Sequence, residues 1–137
     1  YDVEDPRAED LAERMRVHFP TQAIATVPTE NLPAAIARAT GVVHATPLGM
    51  LHHQGVAFDV GFLRRGSWVS DVVYRPLETE LIRRAAERGH PVLDGGRMVV
   101  GQAYASLHII TGEQPDRNRM ERHFRTLVDA EERAGRV

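Results

Sequence analysis

The side chains of this 137-residue chain that could do chemistry include seven histidines, nineteen carboxylates and three tyrosines. Two absences narrow what that chemistry is. With no cysteine there is no disulfide framework, thiolate metal site or cysteine nucleophile. All 17 basic residues are arginine, which excludes Schiff-base chemistry, a lysine general base and a P-loop lysine within the chain. His52 and His53 are adjacent, so on a strand or loop they point apart, and no third ligand stands at a suitable spacing. No metal is expected. Asp2 reads as a carboxylate just past a strand end, where a dinucleotide fold accepts hydrogen bonds from ribose hydroxyls, or else as a solvated turn acid. Thr46, Pro47, Leu48 and Gly49 make a turn-rich segment behind a buried-type strand, and Gly49 lets a ligand approach without meeting a side chain. His44 reads as a packed strand histidine. Gln102 is an amide among Val99, Val100, Ala103 and Leu107. A buried amide needs partners, which a polyhydroxylated ring or nearby backbone could supply.

Alternating strands and helices must position these residues. Tyr1 to Val3 reads as the tail of a strand, followed by Asp5 as N-cap and Pro6 in the first turn of a helix ending near His18. Its stripe of Ala8, Leu11, Ala12 and Met15 predicts packing against a sheet. Ala23 to Val27 is a short strand candidate, and Asn31 caps a helix running to about Ala39. Val42 to Ala45 is a buried strand, and irregular chain follows to about Gly66. Trp68 to Val73 is a strand, Leu77 to Arg88 a helix closed by Gly89, and Val92 and Leu93 a further strand. Met98 to Ile110 reads as helix, and Asp116 caps a last amphipathic helix with the stripe Met120, Phe124, Leu127 and Val128, fraying from Glu131. The fold class expected is α/β, a right-handedly wound parallel sheet flanked by helices on both faces, with ligands beyond the carboxyl ends of the strands.

A hydrophobic fraction of 42% is enough for one core, and a net charge of −2 gives no electrostatic reason to expect nucleic acid or an anionic membrane as partner. The apolar runs are short and the N-terminus is acidic, so neither a spanning helix nor a signal peptide is expected, and the cytoplasm is the default location.

Three runs carry a resemblance: HATPLGM at 44 to 50, DVVYRPLET at 71 to 79 and DGGRMVVGQA at 94 to 103, followed by Thr111, Gly112, Pro115 and a final amphipathic helix. In order and separation they resemble the C-terminal half of the shikimate/quinate dehydrogenase family. The resemblance implies a partial Rossmann-type NAD(P)-binding domain over residues 1 to 137. The first strand, turn and helix with the glycine-rich loop would be lacking, since no GxGxxG occurs, and the N-terminal substrate domain would lie outside the chain. The family's catalytic lysine and aspartate belong to that other half, so no catalytic residue is expected here.

The resemblance also implies roles. Asp2 would bind the adenosine ribose, favouring NAD over NADP, because Glu4 and Asp5 stand nearby. Arg7 would be on the adenine side, or else is a helix-surface charge. Thr46, Pro47, Leu48 and Gly49 would lie along the dinucleotide, and Val72 and Gly95 beside the nicotinamide; a plain turn would also want glycine at 95. Tyr74 and Gln102 would contact shikimate or quinate, although Tyr74 could instead pack under Pro76. His44 replaces the family's usual asparagine. The reaction implied is reversible hydride transfer at a ring hydroxyl, with the missing half or a second chain as partner; the alternative is a non-catalytic nucleotide-binding or interaction module on the same fold.

Overall fold

The computed structural model describes residues 1–134, apart from the side chain of Glu132. The chain divides into two compact units. One comprises Tyr1–Ala39 with Phe62–Arg64, and the other begins with Thr40–Gly61 and resumes at Arg65.

In the first unit, α1 spans Asp5–His18 and α2 spans Leu32–Arg38. The chain enters α1 through a turn rather than a strand, because the Asp2 carboxylate accepts the Glu4 N–H at 2.9 Å. Glu4, not Asp5, holds the N-cap position and makes no side-chain cap bond. Of the expected stripe on α1, only Ala12 is buried, and Leu11 and Met15 are exposed. Ala23 to Val27 is not a strand. A strand needs a ladder partner, and here the Ile24 carbonyl accepts from the Arg16 guanidinium at 3.0 Å instead. Asn31 precedes α2 as expected but makes no side-chain cap. It sits in helical backbone, because a 3₁₀ turn, Thr29–Asn31, runs straight into the helix.

The second unit holds a parallel sheet of β1 (Gly41–His44), β2 (Trp68–Asp71) and β3 (Val92–Leu93), in that spatial order. Gly41 pairs with Trp68 and His44 with Asp71 across β1 and β2, and Val69 pairs with Val92 across β2 and β3. Helix α3 (Glu80–Glu87) packs on β2 and β3, while α4 (Gly95–Thr111) and α5 (Arg117–Ala134) pack on each other. The core draws on period two in β2, where Val69 is buried, and on the i, i+1, i+4 face of α3, where Leu81, Ile82 and Ala85 are buried. Val60, Val73, Val100 and Val128 add to it.

Helix starts depart from the expected positions. α3 begins at Glu80, not Leu77, because the Thr79 hydroxyl caps it by accepting the Ile82 N–H. α4 begins at Gly95, not Met98, because the Asp94 carboxylate accepts the Gly96 N–H at 2.9 Å. Asp116 does cap α5, accepting the Arg119 N–H at 2.9 Å. That helix continues past Glu131 to Ala134.

Candidate functional site

Because the three strands run parallel, their carboxyl ends share one edge, and three loops leave from it. His44 leads into Thr46 to Gly49, Asp71 into Val72 to Tyr74, and Leu93 through Asp94 into the first turn of α4. Contacts hold the loops together. A Cβ on Gly95 would run into the carbonyl oxygens of Val72 and Val73, so the start of α4 lies against the chain leaving β2. A Cβ on Gly49 would lie 3.4 Å from Thr79, which places the first loop beside the N-cap of α3. Gly49 has a backbone φ of +90°, a conformation that other residues rarely adopt, and its N–H donates to the His53 carbonyl at 2.6 Å.

A buried polar network crosses the base of these loops. His44 and Asp71 face each other in register, with His44 Nδ1 3.0 Å from Asp71 Oδ1, and the side chains are 3% and 0% exposed. Asp71 also accepts the Val73 N–H at 2.9 Å and the Thr79 hydroxyl at 2.7 Å. On its other side, His44 Nε2 lies 2.5 Å from Thr46 Oγ1, and that oxygen accepts the Leu48 N–H at 3.3 Å. Burial by itself would raise the Asp71 carboxyl. The hydrogen bonds from His44, Thr79 and Val73 outweigh it and hold the group below its ordinary value. Asp71 is therefore an ionised acceptor, and the network leaves no buried side-chain polar atom unpaired among the described residues.

Within this unit, Thr46, Pro47, Leu48, Gly49, Val72, Tyr74 and Gly95 all come from the strand-end loops. Thr46, Pro47, Leu48 and Tyr74 are exposed, Gly49 and Val72 half-buried, and Gly95 buried. Gln102 is different. It lies on α4 seven residues beyond Gly95, about two turns or 10 Å along the axis. It is exposed rather than buried, because the helix turns its apolar neighbour Val100 inward and Gln102 to the opposite side. The burial argument for Gln102 therefore fails. Asp2 and Arg7 belong to the first unit, where Asp2 closes the turn onto Glu4 and Arg7 Nε meets the Glu4 carboxylate at 3.2 Å.

Asp71 and Thr79 were missed by the sequence reading as members of the site. The one available signal was an acidic residue closing the strand-like run from Trp68, where a buried charge demands partners. His44 is the packed strand histidine expected, and it is also the centre of the network. Among the described residues, no group of three His, Asp or Glu side chains converges as a metal site would require, and no helix is long and apolar enough to cross a membrane.

No protein-family model matches the chain. It is 44% identical over 131 residues to a shikimate dehydrogenase (NADP+) of Arthrobacter sp. (strain FB24), in an alignment covering 96% of this chain and 45% of that protein. A quinate/shikimate dehydrogenase (NAD+) of Corynebacterium glutamicum (strain R) is 42% identical over 126 residues, covering 92% of this chain and 44% of the relative. Among solved structures, quinate dehydrogenase from Corynebacterium glutamicum in complex with NAD matches with a TM-score of 0.86 and 42% identity, over 91% of this chain and 44% of that one. The chain spans a little under half the length of the curated relatives it matches.

Proposed function

Since this chain belongs by sequence to the shikimate/quinate dehydrogenase family over the length it spans, we propose that it is the C-terminal, cofactor-binding part of an NAD(P)-dependent enzyme acting reversibly at a ring hydroxyl of shikimate or quinate. The observation that carries this reading is the convergence of the Thr46 to Gly49, Val72 to Tyr74 and Gly95 segments at the carboxyl edge of one parallel sheet, where α/β folds bind nucleotides.

The residues present fit a dinucleotide. Exposed Pro47 and Leu48 with side-chain-free Gly49 offer a smooth surface, and Thr46 adds a hydroxyl. Val72 and Gly95 flank the nicotinamide, which supplies the hydride chemistry when bound. Tyr74 meets the substrate with its phenol, and Gln102 offers an exposed amide to a ring hydroxyl. Asp2 takes the adenosine ribose and Arg7 the adenine side. The chain's own groups bind and orient. Proton transfer falls to a lysine and an aspartate in an N-terminal substrate domain, carried on another segment or a second chain, because no lysine exists here.

The test is a turnover assay by NADH absorbance. The 137-residue chain alone should give no turnover with NAD and either quinate or shikimate, and activity should appear on adding a separately expressed N-terminal half. General acid/base help is worth about 100- to 10000-fold, so a chain lacking it stays below detection. Robust turnover by the chain alone would reject the assignment of proton transfer. Absence of turnover after mixing, with both parts folded, would favour a non-catalytic nucleotide-binding or interaction module.

A further inference from the structure

Thr46 sits where the ligand loop begins, and its hydroxyl is already engaged from beneath. The Asp71 carboxylate is ionised and can only accept, so His44 Nδ1 must carry a proton to bond it at 3.0 Å. In a neutral imidazole the other nitrogen is then an acceptor, and it faces the Thr46 hydroxyl at 2.5 Å. With the ring in that neutral form, Thr46 gives its single proton inward. Its oxygen also accepts the Leu48 N–H at 3.3 Å, which leaves one acceptor site directed out of the network on an exposed residue.

We propose that His44 is a neutral ring with its proton on Nδ1 toward Asp71, and a positioning residue that commits the Thr46 proton inward, so that Thr46 faces the bound dinucleotide as a hydrogen-bond acceptor and selects a donor there, a carboxamide N–H or a ribose hydroxyl. Phosphate oxygens, which only accept, are thereby turned away from this point of the loop. This rests on the reading of Thr46 to Gly49 as the cofactor loop. An asparagine at position 44 also carries a donor and an acceptor, but both sit directly on Cγ and reach less far than the ring Nε2, so spanning from Asp71 to Thr46 at these separations is particular to histidine here.

Two measurements on the full protein that carries this chain test it. Nitrogen-15 NMR of labelled histidine at neutral pH should show His44 as the neutral ring protonated on Nδ1; a ring protonated on Nε2, or on both nitrogens, overturns the proposal. NAD titration should show Thr46→Val binding about 2- to 10-fold more weakly and Thr46→Ser within about 2-fold of the unsubstituted protein. His44→Asn should give a similar loss, with the double variant no worse than either single one, because both substitutions remove the same bond. Repeating the titration with 3-acetylpyridine adenine dinucleotide, which lacks amide N–H groups, separates the two donors. The Thr46→Val penalty disappears if the donor is the carboxamide and persists if it is a ribose hydroxyl. Equal NAD affinity for Thr46→Val and the unsubstituted protein overturns the inference while leaving the cofactor loop standing. An unsubstituted protein that fails to bind NAD overturns both, and the exposed Thr46 variants keep the test independent of folding.

Discussion

The Thr79 hydroxyl donates to Asp71 Oδ2 at 2.7 Å, and Thr79 Oγ1 itself accepts the Ile82 N–H at 3.3 Å, so one buried group joins the end of β2 to the first turn of α3. Thr79→Val keeps the shape and removes both bonds. Loss of a cap together with an underserved buried carboxylate should cost about 2 to 4 kcal/mol, read as a lower urea midpoint, whereas Thr79→Ser should cost less than about 1 kcal/mol. Equal midpoints for the valine and serine variants would show that the hydroxyl contributes nothing.

The lowered Asp71 carboxyl has a consequence in acid. Its folded value lies below its unfolded one, so in the interval between them the unfolded chain binds more protons and stability rises with pH. The contribution of Asp71 is complete above the unfolded carboxylate value of about 4, and it is lost as pH falls through the folded value. Urea unfolding followed from neutral pH into this acid range should show that loss in the unsubstituted protein. Asp71→Asn should be less stable at neutral pH and should show a shallower fall in acid; an unchanged slope would remove Asp71 from the account.

Glycines in α4 should respond in opposite directions. Gly95→Ala places a methyl against the backbone carbonyls of Val72 and Val73, which cannot rotate away. Overpacking of about 1 to 3 kcal/mol should outweigh the helix gain of about 0.5 to 1 kcal/mol. At Gly101 a methyl meets, among the described residues, only the Arg117 guanidinium at an ordinary 3.7 Å, so Gly101→Ala should stabilise by that helix gain. Thermal denaturation of the two variants side by side decides the matter, and a higher midpoint for Gly95→Ala would contradict the contact.

In the proposed enzyme, Asp2 is the residue assigned to cofactor choice. In an assembled enzyme containing this chain, the carboxylate would meet the 2'-phosphate of NADP as a like charge, with Glu4 and Asp5 close in sequence. Steady-state kinetics should give a higher kcat/KM with NAD, and Asp2→Ser should narrow the gap. A preference for NADP would remove Asp2 from the ribose site.

Gln102→Ala should impair substrate use and leave NAD affinity nearly intact, at a cost of about 0.5 to 1.5 kcal/mol for one neutral hydrogen bond. Calorimetric titration of NAD beside kinetics in shikimate or quinate checks this, and equal damage to both ligands would defeat the assignment.

Several elements were legible in the residues themselves because their signals are local. The β1, β2 and β3 runs, the Asp116 cap and the apolar face of α3 follow from short β-branched and aromatic runs bounded by turns, period 3.6 and side-chain capping, which act within a few residues. Gln102 was legible too and was misread. Val100 and Gln102 differ by about 200° around a helix, so a buried Val100 implies an exposed amide at 102. Other features needed the folded chain. Ala23 to Val27 has strand composition, but whether it pairs depends on a neighbour, and the Arg16 guanidinium took its carbonyl instead. His44 and Asp71 are 27 residues apart, and only the parallel register of β1 with β2 sets one opposite the other. Burial then compels the pair, with Thr79, to find hydrogen-bond partners inside the protein. Residue types set which groups could bond, and tertiary structure decided which did, because register and burial arise from contacts between segments distant in sequence.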